Sequence, residues 1–152
     1  MKEFIRNKLK NSDLVILNKI VSLGSQKFRG ELEWIYSSAH SNGLLVQGES
    51  IDFVGTPGHW GNPTLDPYSR ALVFIGYIHL SEKFYQDSWT SFLPILSVDG
   101  VDYSLIPWRV EGDSPVPEDK RVHPPATLQV KPWMTVFKYE YIDQLIKEIQ
   151  AE

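Results

Sequence analysis

Cysteine is absent from the 152 residues. Its absence excludes disulfide scaffolding, thiolate metal ligation and cysteine nucleophiles together, and it suits a reducing compartment. Long apolar runs are lacking as well. The longest, Ala71 to Ile78, is interrupted by Gly76 and falls far short of a bilayer span. Met1 to Lys10 interleaves charge with its apolar residues, and no apolar segment with a small-residue cleavage site follows, so it does not read as a signal peptide. The expectation is a soluble, cytoplasmic chain with no membrane partner. Nor is there an excess of positive charge: 15 Lys and Arg face 19 Asp and Glu, for a net −4. A phosphate-backbone binder carries a basic stripe. The nearest thing here is Arg6, Lys8, Lys10, Lys19, Lys27 and Arg29, spaced like a solvated face. No nucleic-acid partner is expected.

Catalytic signatures are missing too. No glycine loop cradles phosphate at a helix start, and there is no Gly-x-Ser-x-Gly and no dinucleotide fingerprint. His40, His59, His79 and His123 stand at no compact ligand spacing, so neither metal nor cofactor is expected. His79-Leu80-Ser81 matches one half of a two-histidine phosphoesterase pair, but no second His-x-Ser/Thr exists. It reads better as a histidine at a strand end. Asp99 and Asp102 are no calcium pair, because Asp99 opens a turn.

What is present is an ordinary globular composition, 42% hydrophobic and 22% charged. This length fits one domain, residues 1–152. Phe4, Ile5 and Leu9 give a first helix. Ser12 is a plausible N-cap before Leu14, Ile16, Leu17, Ile20, Val21 and Leu23, with Gly24 as a stop. Leu32, Ile35, Tyr36 and Ala39 fall at i, i+3, i+4, i+7 and predict a third helix, ended by Asn42-Gly43. On that helix Trp34 falls off the apolar face. The pattern then turns strand-like. Leu44–Gln47 and Ile51–Val54 suggest a hairpin. Arg70–Leu80 suggests a buried central strand, with Gly76 at a bulge or close approach. Phe92–Val98 and Val101–Val110 flank Asp99-Gly100, a strong hairpin signal. Thr127–Val130 and Met134–Lys138 suggest edge strands. Ile142, Leu145, Ile146 and Ile149 predict a closing amphipathic helix. The fold class expected is α+β: N-terminal helices, a central, mainly antiparallel sheet of about five or six strands, and a C-terminal helix.

Two long loops hold seven of the ten prolines: 55–69 and 111–125. Stiff loops lose little entropy on binding, which favours a recognition role. The first offers His59, Trp60, Asn62, Asp66 and Tyr68 as binding residues. His59 beside Trp60 also permits a small-molecule or nucleotide site, or a hydrolase using His59 as a base with His79, Tyr77 or Asp66 converging. The second offers Glu111, Asp113, Glu118 and Asp119, an acidic face suited to steering a basic protein partner. No catalytic residue is assigned. Binding, not turnover, is the expected activity.

Three segments resemble the SUKH superfamily of bacterial immunity and cell-wall-regulator domains. They are Glu31 to Gly43, read as an amphipathic helix with an Asn-Gly turn; Phe92 to Leu105, with Pro94-Ile95, Asp99-Gly100 and Tyr103; and the closing helix Tyr141 to Gln150. Lys27-Phe28-Arg29-Gly30 stands where that family carries Leu-Pro. The resemblance implies an α+β fold with a six-stranded sheet and an interaction role, often neutralisation of a cognate toxin by covering its active site. It assigns no catalytic residue.

Overall fold

The computed structural model describes residues 1–57 and 63–152. It is α+β, with α1 (Lys2–Leu9), β1 (Asp13–Gly24), β2 (Lys27–Ser37), β3 (Ser50–Val54), β4 (Ala71–Ile78), β5 (Lys83–Gln86), β6 (Phe92–Val98), β7 (Val101–Ile106), β8 (Thr135–Lys138) and α2 (Tyr139–Gln150). A short 3-10 turn, Glu118–Lys120, precedes β8.

Among the described residues the chain opens with one helix where several were expected, and the sheet has eight strands where five or six were expected. Both differences come from one region. Asp13–Gly24 and Lys27–Ser37 form a long antiparallel hairpin in place of two helices. In β1 the cause is burial on both faces. Leu14 and Ile16 point to one core, Val15 and Leu17 to another. A strand buried on both sides shows a continuous apolar run, not an alternation, so periodicity alone does not separate it from a helix. In β2 the cause is a pair of β-bulges. Leu17 pairs with Leu32 but Ile16 with Trp34, and Val15 pairs with Ile35 but Leu14 with Ser37. Glu33 and Tyr36 are therefore extra residues, and each resets the inside–outside alternation. The resulting spacing of apolar residues imitates a helical period. Ser25 and Gln26 form the tip of this hairpin at φ 51° and 63°. Gly24, read as a helix stop, ends a strand instead.

The first five strands close on themselves. β1 pairs with β2 and β4, β2 with β3, β3 with β5 and β5 with β4. All are antiparallel except the short Phe53–Phe84, Val54–Tyr85 pair. This is a small barrel filled by Val15, Leu17, Phe28, Leu32, Phe53, Val73 and Ile75, with Leu45 and Leu65 joining the same core. Gly76 does mark a close approach, since a Cβ there would overlap the ring of Tyr85, its partner on β5. The first half of β4 also pairs with β6, and β6, β7 and β8 extend the sheet beyond the barrel. Asp99 and Gly100, at φ 50° and 79°, make the β6–β7 turn as their residue types demand. The outer faces of β1 and β4 pack with this extension against α1 and α2, forming a second core around Ile5, Leu14, Phe74, Phe137, Ile142 and Ile146. Leu44–Gln47 and Thr127–Val130 form no strand, and β5, four residues long, had no visible sequence signal. No helix among the described residues is long and apolar enough to cross a membrane.

Candidate functional site

The two proline-rich loops behave differently. In the first, His59, Trp60 and Asn62 lie outside the described residues. Asp66 is exposed, accepts a hydrogen bond from Thr64 Oγ1 at 3.0 Å, and borders a polar hollow with Ser25, Gln26 and Thr56. Tyr68 leans on Phe92 at 6.1 Å between ring centroids, and burial raises the pKa of its hydroxyl. It packs against the barrel core. His79 and Tyr77 stand at the far end of β4 from this loop. His79 Nδ1 meets Asn42 Nδ2 at 3.1 Å, and its ring meets Tyr77 edge-on. They do not converge with Asp66. His40 Nε2 bonds the carbonyl of Leu9, and His123 is exposed. Among the described residues no group of three or more His, Asp or Glu is placed to hold a metal ion.

The second loop is anchored by Val116, buried in the helix-side core, by Arg121 Nε donating to the Val116 carbonyl at 2.9 Å, and by the Ser114–Thr135 hydroxyl pair at 3.0 Å. Glu111, Asp113, Glu118 and Asp119 are all exposed. Asp119 lines a concavity of about 480 Å³, completed by Lys120, Lys138, Glu140, Tyr141, Gln144, Leu145 and Glu148. Glu118 adjoins it in sequence, while Glu111 and Asp113 are not among the lining residues.

This concavity continues around α2. A second, of about 380 Å³, shares Lys138 and Glu140 with the first and adds Asp102, Tyr139 and Asp143. A third, of about 340 Å³, shares Tyr139 and Asp143 with the second and adds Glu33, Trp34, Tyr36 and Lys147. Joined through these shared residues, the three make one furrow around α2 from Tyr139 to Glu148, where six carboxylates and four aromatic rings stand with Lys120, Lys138 and Lys147. Neither proline loop alone indicates it, because its walls come from β2, the β6–β7 turn, the 118–120 turn and α2.

The bulges explain how β2 reaches the furrow. They put Glu33 and Tyr36 on the outer surface, facing the β6–β7 hairpin and α2. Tyr36 donates to Asp143 Oδ1 at 2.7 Å, and the Tyr36 and Tyr139 oxygens lie 2.6 Å apart. With the Tyr36 proton committed to Asp143, Tyr139 donates to Tyr36. Burial first, then the neighbouring Asp143 carboxylate, pushes the Tyr36 hydroxyl well up; burial and Tyr36 do the same to Tyr139. Both remain protonated donors. Beside them, Arg70 grips Glu33 with two parallel bonds of 3.0 and 2.6 Å and reaches Asp102 at 3.0 Å, while Asn18 donates to Glu33 at 3.1 Å. Such a fork fixes position as well as charge.

Burial alone would raise the Glu33 and Asp143 carboxyls. Hydrogen bonds from Arg70 and Asn18 outweigh it at Glu33, and those from Lys147 and Tyr36 outweigh it at Asp143, so both sit below the usual range. A carboxylate depressed in the folded state contributes stability above its unfolded pKa and loses that stability as pH falls through its folded pKa. The denaturation midpoint is therefore expected to hold from neutral pH down to the carboxylate range and to decline below about pH 4. Acid titration of a Glu33→Gln/Asp143→Asn double variant checks this. An equally steep decline in that variant would place the acid sensitivity elsewhere.

Comparison with protein-family models, with curated proteins and with solved structures finds no match. Of the segments quoted for the SUKH resemblance, the Asp99-Gly100 hairpin and the closing helix form as expected, whereas Glu31–Gly43 is strand and turn.

Proposed function

We propose that the chain is a protein-binding module for a basic partner, with the furrow around α2 as its recognition surface. One observation carries the reading. Carboxylates from four separate parts of the chain, Glu33, Asp102, Asp119, and Glu140, Asp143 and Glu148, line contiguous concavities together with Trp34, Tyr36, Tyr139 and Tyr141. Aromatic anchors within a charged surround suit protein recognition, and an acidic field steers a basic partner toward it. An immunity-type antagonist that covers the active site of a basic toxin is the specific form of this reading. Glu111, Asp113 and Glu118 then act as outlying charges that speed encounter.

The test is a pulldown on immobilised chain from the native host, wild type beside an Asp119→Lys/Glu140→Lys/Glu148→Lys variant. A discrete partner of net positive charge is expected, released as salt rises. The triple reversal should slow its association by about 10-fold or more. If the partner is held equally well by the variant, or if its capture is indifferent to salt, the proposal fails.

A further inference from the structure

Trp34 is 49% exposed on the outer face of the barrel. Its ring meets Tyr36 edge-on at 6.5 Å, and no cation stacks on it among the described residues. Trp133, exposed to a similar 41%, already carries Arg109 over its ring at 4.1 Å. The same chain thus shows one exposed indole with its guanidinium and one without.

The concavity in front of Trp34 has a fixed anion. Asp143 is held at Oδ1 by the Tyr36 hydroxyl, itself backed by Tyr139, and at Oδ2 by Lys147 Nζ at 2.8 Å. The tyrosine side of this arrangement is half-buried and rigid. The lysine side is not: the Lys147 side chain is 70% exposed, and an exposed i, i+4 ion pair is weak. Around the hollow, Arg70 pairs with Glu33 and Asp102, and Lys147 with Asp143, while Lys138 lines the adjoining concavity beside Asp102 and Asp143. A planar cation that bonds a carboxylate along its edge while stacking on an indole matches arginine better than lysine.

We infer that this hollow seats an arginine side chain of the partner, its guanidinium stacked on Trp34 and bonded to Asp143, with Lys147 as the resident cation it displaces. This deepens the reading of the furrow as the partner surface and rests on it. Lys147 gives the inference its sharpest consequence. Removing a positive charge that competes for Asp143 strengthens the binding of arginine, whereas at a site for an anion or a sugar the same change weakens binding or leaves it alone.

The experiment titrates the full ¹⁵N-labelled chain with acetyl-Gly-Arg-Gly-amide and follows the Trp34 indole N–H, with the neutral citrulline peptide as control. The arginine peptide should move the Trp34 resonance and the citrulline peptide should not. Lys147→Gln should tighten the arginine complex about twofold, the value of the lost competitor. Asp143→Asn should weaken it severalfold, and Trp34→Leu should abolish the response at the Asp143 amide, with circular dichroism confirming that each variant is folded. An equal response to citrulline, or weaker binding in Lys147→Gln, overturns the inference. If Trp34 is silent while the Asp119, Glu140 and Glu148 reversal still releases a basic partner, the arginine seat alone is wrong. If Trp34 responds but that reversal leaves partner capture unchanged, the broader reading alone is wrong.

Discussion

Truncating Phe74 to alanine is expected to lower the unfolding free energy by about 3–5 kcal/mol, a large share of the roughly 5–15 kcal/mol that holds a domain of this kind together. Phe74 is fully buried in the helix-side core and meets Phe4 of α1 edge-on at 6.0 Å. It sits on β4, which has neighbours on both edges and a core on both faces: Leu72 and Phe74 point to the helices, Ala71, Val73 and Ile75 into the barrel. A strand held this way cannot shift to fill the void. The cavity stays open, and the full transfer-plus-cavity penalty is felt. Because Phe4 is the ring that Phe74 supports from the α1 side, amide exchange across Lys2–Leu9 should accelerate more than exchange in β2. Urea denaturation of Phe74→Ala beside the milder Phe74→Leu measures the loss, and native-state hydrogen exchange the loosening of α1. A loss below about 1 kcal/mol would mean that α1 collapses into the space and that the second core is softer than its packing indicates.

That same two-sided burial limited what the sequence revealed. The features that could be read locally are correct: the Asp99-Gly100 turn, the close approach at Gly76, the central strand, and α2 with Ile142 and Ile146 on its buried face. Each rests on one residue's conformational preference or on an uninterrupted period. The first long hairpin could not be read in this way. Leu14 to Leu17 is apolar at every position because two different cores claim alternate residues. Leu32, Ile35 and Tyr36 look helical because Glu33 and Tyr36 are bulge residues. A bulge is a property of pairing with another strand, so a single segment carries no sign of it.

The site was partly legible for the same reasons. Charge clustered along the chain is visible, and Asp119 stood out with its neighbours. Glu140 and Glu148 read locally only as the polar face of the closing helix, and nothing in the sequence ties them to Asp119, 21 and 29 residues earlier. A helical spacing puts Trp34 on the wrong kind of element, and its exposure beside Asp143 follows only from β2 being a strand. The helical period of this segment and the hidden position of Trp34 beside Asp143 thus have one cause, the bulges of β2.

Asp13→Ala is expected to be the second severe lesion, at about 2–4 kcal/mol, for a polar reason instead of a cavity. Asp13 is fully buried at the start of β1. Its carboxylate accepts the Ser37 hydroxyl at 3.2 Å and the backbone N–H of His40 at 3.0 and 3.2 Å. The His40 ring then bonds the Leu9 carbonyl at 3.1 Å. One side chain thus joins the end of β2 and the following turn to β1, and that turn in turn holds the end of α1. Alanine leaves the His40 N–H and the Ser37 hydroxyl without a partner in a half-buried place where water is poorly placed to replace it. Asparagine keeps an acceptor oxygen of the same reach, so Asp13→Asn should recover at least half of the loss. Urea midpoints of the two variants against wild type decide the matter. If alanine and asparagine were equally costly, the bonds to His40 and Ser37 would not be the source. If both were nearly neutral, the turn would be held by its own Asn42-Gly43 geometry, at φ 52° and 71°, and α1 would be docked by its apolar face alone.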